Sequence, residues 1–368
     1  MSHAATVAVV VLMTTAVSAL LVSRSIPLLI HLGLVDQPGP RRAHARPMPR
    51  GAGPAMFLAF AFGLALTFAF DVERIGNENE RLLLLLAGAA LITGVMIYDD
   101  AVGIRPLPKL GWQIVAAGLV VLPRLNGEIH GIVIERFNSP FGGTVELPLA
   151  LAIGFTLFWI VGMANAVNWI DGLDGLAASV TLVACGILFA HTYFWPRDDP
   201  QFTISLLPAV LGATVLGFLP FNWHPAKVIM GDSGAHFLGF CLAIVAIIGG
   251  AKIATALLAL GLPILDVAWV ILYRLIHRRS PLEADRGHLH HRLIDGGWGQ
   301  ARVVLFVAGL SATFGLVGLV LPNRAAKLGA IAILGVLLLV TVALLALRDR
   351  KRRSIGPREG HLPNQIGG

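Results

Sequence analysis

Long apolar segments recur along the whole chain and constrain its fold more than any other feature. Most are roughly 17 to 25 residues long, enough for a helix to cross about 30 Å of hydrocarbon, and we count about eleven of them. They cover residues 5–33, 54–71, 80–98, 111–123, 147–164, 173–195, 203–220, 234–250, 252–273, 302–321 and 327–347. Because 56% of the residues are hydrophobic and only 13% are charged, far from the averages of soluble domains, we predict an all-α integral membrane protein.

We predict a single polytopic membrane domain, residues 1–347, followed by a basic tail, residues 348–368, that we expect to be disordered in the cytoplasm. The first apolar segment continues to Ile30 without a small-residue cleavage site, which favours a retained anchor over a cleaved signal peptide. Cys185 and Cys241 lie inside apolar runs without the spacing of metal ligands, so they predict two buried thiols.

The basic residues indicate an orientation in the membrane. A net charge of +7 is also compatible with nucleic-acid binding. If the N-terminus lies outside and the C-terminus in the cytoplasm, however, most Lys and Arg residues fall in cytoplasmic segments, as the positive-inside rule expects. We therefore predict a multi-pass protein of the cell (inner) membrane and no nucleic-acid partner.

The unusual polar segments all fall on one side of the membrane in that orientation. They are residues 35–53, 98–111, 165–175, 221–236 and 277–299. A transporter would place such groups near the midplane, reachable from both sides. The sequence therefore favours an active site at the cytoplasmic face. On the outer side, residues 126–148 alternate apolar and polar around a Ser-Pro-Phe-Gly-Gly turn and predict a small external hairpin at the surface.

Two acids open the sixth apolar segment. Asp171 and Asp174 are three residues apart and would share one helical face. A capping role is the structural alternative, since acids in a first turn satisfy free N–H groups and suit the helix dipole. Asn165 and Asn168 precede them and favour a functional site, because a cap needs one such residue and not four. Asp232 opens the eighth segment and has the same capping alternative.

Asp99 and Asp100 end the third apolar segment, where the helix dipole makes adjacent negative charges unfavourable. Two neighbouring acids at a helix C-terminus have no capping use, so we expect a cation to compensate them. Mg²⁺, which prefers carboxylate and phosphate oxygens, is the first candidate, and Mn²⁺ is the alternative.

Histidines follow an arginine in the last polar segment. His288, His290 and His291 come after Arg286 in a stretch too polar for a core. A Zn²⁺ site is the alternative, but Cys residues are missing there and adjacent His residues seldom bind one ion together. Phosphate binding by Arg and His is therefore predicted. Acids close to Arg and His residues at a membrane surface together indicate Mg²⁺-dependent chemistry between a diphosphate and a lipid phosphate.

Five segments, in order, carry the pattern of a known family. They are "VDQPGPRRAHARPMPRGAG", "YDD", "NAVNWIDGLDGLAAS", "FNWHPAKVIMGDSGAHFLG" and "SPLEADRGHLHHRL". With them the chain resembles the polyprenyl-phosphate N-acetylhexosamine-1-phosphate transferases of the glycosyltransferase family 4 type, from about Val35 to Leu293. The first segment is more similar to the branch that starts teichoic acid, O-antigen or enterobacterial common antigen synthesis than to the muramyl-pentapeptide branch.

The resemblance implies a reaction and its substrates. The donor would be a UDP-N-acetylhexosamine, most often UDP-GlcNAc, and the acceptor would be undecaprenyl phosphate in the lipid bilayer. Transfer of the sugar 1-phosphate to the lipid would release UMP and start a cell-envelope polysaccharide. A homodimer is compatible with the sequence.

The resemblance also implies roles for the polar residues. Asp232 would be the Mg²⁺ ligand, helped by Asn168, and His288 would act with the catalytic acids. Asp99 and Asp100 would lie at the acceptor phosphate, one of them as a candidate base. Asp171 and Asp174 would organise the metal ion and the nucleotide. The positions expected to bind substrate are Asn168, Asn222, Arg286, His290, His44 and Arg50.

The same segments are compatible with two other functions, and at one position they depart from the family pattern. "DGLDGLAAS" partly matches the signature of CDP-alcohol phosphotransferases, but Ser179 stands where that signature has Arg. A lipid-phosphate transporter that binds anions at this face is the non-enzymatic rival. Family members often carry Phe two residues before the Gly-Asp, where it would stack on uracil, and Ile229 takes that position here.

Overall fold

In this computed structural model the described part of the chain contains most of the apolar segments. It comprises residues 2–37, 46–74, 76–125, 128–139, 143–194, 201–249, 257–261, 264–266, 272, 274, 289–321, 325–337 and 340. Outside it lie His44, Arg286 and His288, most of the ninth apolar segment, 252–273, and the tail, 348–368. The predictions that concern them stay predictions.

Helices form most of the described chain. They are α1 His3–His31, α2 Gly53–Leu66, α3 Glu78–Val102, α4 Pro106–Val121, α5 Leu149–Ile170, α6 Leu176–Phe194, α7 Phe202–Asn222, α8 Gly231–Ile248, α9 Leu289–Asp295, α10 Gln300–Val320 and α11 Ala325–Leu337. Seven of them, α1, α3, α5, α6, α7, α8 and α10, are long and apolar enough to cross a membrane. The all-α membrane fold is therefore confirmed, while the number of spans stays a prediction.

Local signals in the sequence set several helix ends. Ser2 caps α1, because its side-chain oxygen accepts a hydrogen bond from the Ala5 N–H. Pro106 begins α4, where its missing N–H costs nothing, and Arg105 before it is extended. Gly103 ends α3 with a φ of +77°, a conformation that glycine adopts without strain.

Short strands connect some of the helices. β1 Val35–Asp36 pairs with β2 Met48–Pro49, β3 Arg124–Leu125 with β4 Glu128–Ile129, and β5 Arg136–Asn138 with β6 Thr144–Glu146, all antiparallel. The last pair is the predicted hairpin, and it joins the ends of α4 and α5. The predicted segment, residues 126–148, does not lie wholly at the surface, because Ile132 and Ile134 before β5 are buried and the Ile134 N–H donates to Thr156 Oγ1 of α5.

Helix α8 lies at the centre of the bundle. In its apolar 18-residue stretch 89% of the residues are buried inside the protein, against 28% in the corresponding stretch of α1. It packs against both α3 and α5. At the α5 contact, a Cβ added to Gly239 would lie 2.5 Å from the Met163 carbonyl oxygen, so the two backbones approach as closely as small residues allow. The C-terminal ends of α3, α5 and α7 meet the N-terminal ends of α4 and α8 at one end of the bundle.

Candidate active site

Three acids and two bases meet at that end of the bundle. We call Asp99, Asp100, Asp232, Arg50 and Lys109 the acid–base cluster. Lys109 Nζ lies 2.7 Å from Asp99 Oδ2 and 2.9 Å from Asp232 Oδ1. Arg50 Nε lies 2.9 Å from Asp100 Oδ1, and its Nη2 lies 2.6 Å from Asp232 Oδ2. Asp232 is therefore held by both cations, one on each oxygen.

Asp100 caps α8 from another helix. Its Oδ1 accepts from the Asp232 N–H at 2.8 Å and its Oδ2 accepts from the Ser233 N–H at 3.0 Å. These N–H groups belong to the first turn of α8, where free donors and the helix dipole favour a negative charge. The expectation that acids at the end of α3 have no capping use was wrong, because the free N–H groups come from a distant helix. Asp232, which the sequence offered as a cap, is not the cap.

Asp99 finds its partners close by in the chain. Its Oδ1 accepts from the Ile104 N–H at 2.5 Å, just beyond Gly103, and Lys109 binds the other oxygen. Protein cations and backbone donors thus compensate both acids at the C-terminal end of α3. The sequence argument that the dipole conflict requires a metal ion is therefore not supported by these contacts.

Arg50 reaches the cluster through a short piece of backbone pairing. The Ile229 N–H donates to the Pro49 carbonyl at 2.8 Å, and the Gly51 N–H donates to the Ile229 carbonyl at 3.2 Å. Burial lowers the pKa of the Arg50 guanidinium, but Asp100 and Asp232 raise it more, so the net shift is upward. Arg50 therefore stays charged, as its predicted role in binding anions requires.

Asn168 and Asp171 offer oxygens that the rest of the site does not use. Asn168 lies in the last turn of α5 and Asp171 just after it, and no described residue hydrogen-bonds to either side chain. Burial raises the pKa of Asp171 to about 8, and Asp232, Asp100 and Asp174 add to the shift against the opposing effect of Arg50. This corner of the site therefore has room for positive charge.

The side chains of Asn168 and Asp171 show whether the site could hold the predicted divalent cation. Their donors, a carboxylate and an amide oxygen, are of the type that Mg²⁺ prefers. Among the described residues, no three His, Cys, Asp or Glu side chains are grouped as a metal site. In the acid–base cluster, Arg50 and Lys109 stand between the carboxylates instead. The oxygens of Asn168 and Asp171 fit the ion, whereas those of Asp232 are already paired.

Asp174 and Asn222 tie neighbouring loops together. Asp174 Oδ2 accepts from His224 Nδ1 at 2.8 Å and from the Ala226 N–H at 3.2 Å. Asn222, only 2% exposed, accepts from the Gly175 N–H through Oδ1 and donates to the Val228 carbonyl through Nδ2, both at 3.0 Å. Both side chains therefore connect the α5–α6 loop to the α7–α8 loop.

The first half of the last polar segment, residues 277–288, lies outside the described residues. His290 belongs to α9, but only its backbone is described, and Arg286, His288 and His44 lie outside the described residues. Lys109, by contrast, was not singled out in the sequence. Its signal was available, since two acids at a helix end call for a cation and Lys109 follows them at the start of the next helix.

Comparison with known proteins places the chain in a family. The pattern described as glycosyl transferase family 4 matches residues 82–250, which contain the Asp99, Asp171 and Asp232 segments. A probable undecaprenyl-phosphate N-acetylglucosaminyl 1-phosphate transferase of Bacillus subtilis (strain 168) is 31% identical over 302 residues, covering 80% of this chain and 79% of the relative. The chain belongs to glycosyl transferase family 4. The family expected from the five sequence segments is thus confirmed.

Other family 4 relatives differ in how much of this chain they cover. The decaprenyl-phosphate N-acetylglucosaminephosphotransferase of Mycobacterium tuberculosis (strain ATCC 25618 / H37Rv) is 33% identical over 340 residues, which is 84% of this chain and 82% of the relative. A phospho-N-acetylmuramoyl-pentapeptide-transferase of Staphylococcus haemolyticus (strain JCSC1435) is 32% identical over 277 residues, 71% of this chain and 82% of the relative. The N-acetylglucosamine phosphotransferases thus align over more of this chain, at similar identity.

Proposed function

We propose that this protein transfers N-acetylhexosamine-1-phosphate, with GlcNAc-1-phosphate as the first choice, from a UDP-sugar to undecaprenyl phosphate. UMP is the second product. The observation that carries the proposal is the acid–base cluster, which gathers acids and cations at one end of a membrane bundle. Family membership supports it, since relatives named as polyprenyl-phosphate N-acetylglucosamine phosphotransferases align over most of the chain.

Arg50 and Lys109 are the groups proposed to bind the phosphates. Their side chains are 29% and 17% exposed, so incoming anions can reach them. Each is already paired with carboxylates, which hold it at the site before substrate arrives. A planar guanidinium and a compact ammonium can divide the phosphates between them, the first in a fork and the second as a point charge.

The proposed reaction needs placement more than proton removal. An oxygen of the lipid phosphate attacks the phosphorus that bears the sugar, and the bond from that phosphorus to the UMP oxygen breaks. The second pKa of a phosphate monoester is about 6, so much of the acceptor is a dianion at neutral pH. Asp100 is fully enclosed and Asp99 nearly so, and both are hydrogen-bonded. We therefore assign them to positioning and not to the role of base.

Mg²⁺ is proposed at Asn168 and Asp171. Asp232, the ligand that the family resemblance implies, would join them by exchanging its pairing with Arg50 or Lys109 for the ion. The unpartnered oxygens of Asn168 and Asp171 support this choice. When bound, the ion would neutralise charge that develops on the departing UMP. Asp174 and Asn222 hold the two loops around this corner in place.

The proposed site faces the cytoplasm. The supporting argument is the positive-inside distribution of Lys and Arg, together with the meeting of Asp99, Asp100 and Asp232 at one end of the bundle. The product, a lipid-linked pyrophosphoryl sugar, would start a cell-envelope polysaccharide at the inner membrane.

Release of UMP tests the proposal. We expect purified protein with Mg²⁺, UDP-GlcNAc and undecaprenyl phosphate to release UMP, and a panel of UDP-N-acetylhexosamines to define the donor. Asp232→Ala and Lys109→Met should reduce the rate at least about 100-fold, since each removes a charge from the site. Glu146→Gln, an exposed acid on the hairpin at the other end, should leave the rate unchanged.

The rival functions give different outcomes. Absence of turnover with every UDP-N-acetylhexosamine would contradict the proposal. Movement of lipid phosphate across vesicles without turnover would identify a transporter. Release of CMP from a CDP-alcohol would identify the other phosphotransferase class.

A further inference from the structure

A chain of polar side chains lies one turn below the acid–base cluster, inside the apolar bundle. It consists of Asn165 on α5, Gln113 on α4 and His236 on α8. Gln113 is 2% and His236 0% exposed. Ionisable and amide side chains are expensive inside a membrane protein and tend to serve the function of the site they adjoin. None of the site's roles described so far uses these three.

The distances link the three residues into one network. Asn165 Nδ2 donates to Gln113 Oε1 at 2.5 Å and to the Val161 carbonyl at 2.8 Å. Gln113 Nε2 lies 3.3 Å from Asn165 Oδ1 and 3.0 Å from His236 Nε2. At its other end the network reaches the main chain, since His236 Nδ1 lies 2.9 Å from the Asp232 carbonyl oxygen.

Counting donors and acceptors fixes the histidine tautomer. The two hydrogens of Gln113 Nε2 go to Asn165 Oδ1 and His236 Nε2, so His236 Nε2 must accept. A carbonyl oxygen can only accept, so His236 Nδ1 must carry the hydrogen that goes to Asp232. Every atom in the network then has a partner with one arrangement of hydrogens. Such a network, buried at Gln113 and His236 and half-buried at Asn165, rigidifies the elements that it joins.

The network repeats the spacing of the site above it. Gln113 follows Lys109 by four residues on α4, and His236 follows Asp232 by four on α8, so each pair lies on one helical face. Lys109 binds Asp232, and one turn deeper Gln113 binds His236. Asn165 lies one turn before Asn168 on α5. Helices α4, α5 and α8 are therefore tied together beneath the residues that they carry into the site.

We propose that Asn165, Gln113 and His236 act as a positioning network that fixes Asp232, Lys109 and Asn168 relative to one another for phosphosugar transfer. His236 is a positioning residue, because it reaches the substrates only through Asp232. The proposal rests on the proposed function for its kinetic consequence. The arrangement of hydrogen bonds, in contrast, can be measured without turnover.

The first test compares two buried substitutions on one face of α8. His236→Leu should lower kcat about 10- to 100-fold while KM for both substrates changes less, since displaced site groups cost rate more than binding. Phe240→Leu is the matched control, because Phe240 is 1% exposed and lies one turn deeper on the same face. It should perturb packing without lowering kcat. An equal fall of kcat in both variants, in step with their thermal stability, would overturn the proposal.

The second test is rescue by a side chain of the same chemistry. Asn165 already donates to a carbonyl four residues earlier, so His236→Asn can do the same to Asp232 and present an oxygen to Gln113. We expect kcat to recover in part relative to His236→Leu. Gln113→Leu should lower kcat as much alone as in combination with His236→Leu, since the two residues act as a unit. Additive losses and no recovery with Asn would contradict a network.

The third test reads the tautomer directly. In ¹⁵N-histidine-labelled protein, the ring signals that vanish in His236→Leu should be those of a neutral ring protonated at Nδ1. A ring protonated at Nε2 would overturn the network whatever the activity. If the tautomer is as stated but no UDP-N-acetylhexosamine turns over, the network stands and the proposed function fails. If the function holds and His236→Leu keeps the wild-type kcat, the positioning role fails alone.

Discussion

A single carboxylate, Asp100, joins two helix ends that lie far apart in the sequence. At the C-terminal end of α3 it faces unfavourable dipole charge, and at the N-terminal end of α8 it meets favourable charge and two free N–H groups. The second interaction outweighs the first because it is made at hydrogen-bonding distance, with Arg50 as a further partner. Asp99, Asp100 and Asp232 are thus each stabilised by a different set of hydrogen bonds and ion pairs. Asp171 differs from the others, because no described residue hydrogen-bonds to its carboxyl group.

The raised pKa of Asp171 predicts that the stability of the cation-free protein depends on pH. Its pKa rises from 3.8 to about 8 on folding, so between those values the folded state holds a proton that the unfolded state has lost. The group's contribution to stability is therefore complete below about pH 4 and is lost as the pH rises towards 8. We expect the Tm without divalent cation to fall between pH 6 and 8 in the wild type, and less so in Asp171→Asn.

Mg²⁺ should change how the Tm depends on pH. Because a bound cation competes with the proton, adding Mg²⁺ should raise the Tm more at pH 8 than at pH 6 in the wild type. Thermal unfolding in detergent, with and without chelator, measures both effects. A cation-free wild type whose Tm has the same pH dependence as Asp171→Asn would contradict the raised pKa.

At the scale of elements, the first turn of α8 is where the site is built. Gly231 begins α8 with a φ of +71°, and a Cβ there would lie 2.6 Å from Asp100 Oδ2. A side chain at this position would thus be strained and would also displace the capping carboxylate. The close approach of α3 to α8 depends on this glycine.

Gly231→Ala should therefore lower both stability and turnover. The left-handed backbone alone costs about 1–2 kcal/mol for a residue with a Cβ, and loss of the Asp100 cap adds to it. Gly94→Ala is the matched control, since Gly94 lies within α3 and a Cβ there meets nothing within 4 Å. Thermal unfolding and UMP release measure the two effects. A Gly231→Ala protein as stable as the Gly94→Ala protein would show that the α8 cap is unimportant.

The whole molecule is polarised along the bundle axis. The acid–base cluster lies at the end where α3 and α5 finish, whereas the β5–β6 hairpin lies at the end where α4 finishes and α5 begins. The proposed reaction between a nucleotide-sugar and a membrane lipid needs one aqueous face, and the candidate site lies at one end of the described bundle.

This polarity predicts which residues can be labelled from each side of the membrane. The two native thiols, Cys185 and Cys241, are buried at 1% and 0% exposure and should not react. With an impermeant maleimide, Val145→Cys on the hairpin should be labelled in intact cells, and Arg105→Cys at the start of α4 only after permeabilisation. Labelling of both in intact cells would contradict the proposed orientation.

The sequence predicted several residues of the site but few of the contacts between them. Asp99, Asp100 and Asp232 were selected as unusual charges among apolar runs, and the structure brings them together. Lys109 was missed, since a lysine near a membrane surface is unremarkable until its partners are known. The cap formed by Asp100 was missed as well, because helix ends are judged from their neighbours in the chain and the partner of this one lies more than a hundred residues away.

The sequence by itself determined that this chain forms membrane-spanning helices, because apolar runs of that length cannot remain in water and must satisfy their backbone hydrogen bonds internally. It also determined the family, through ordered polar segments. Only the tertiary structure decided which acid meets which base, because the pairing of Arg50 with Asp232 and of Gln113 with His236 depends on how helices rotate and approach one another. Close packing sets that geometry, and no short-range pattern in the chain encodes it.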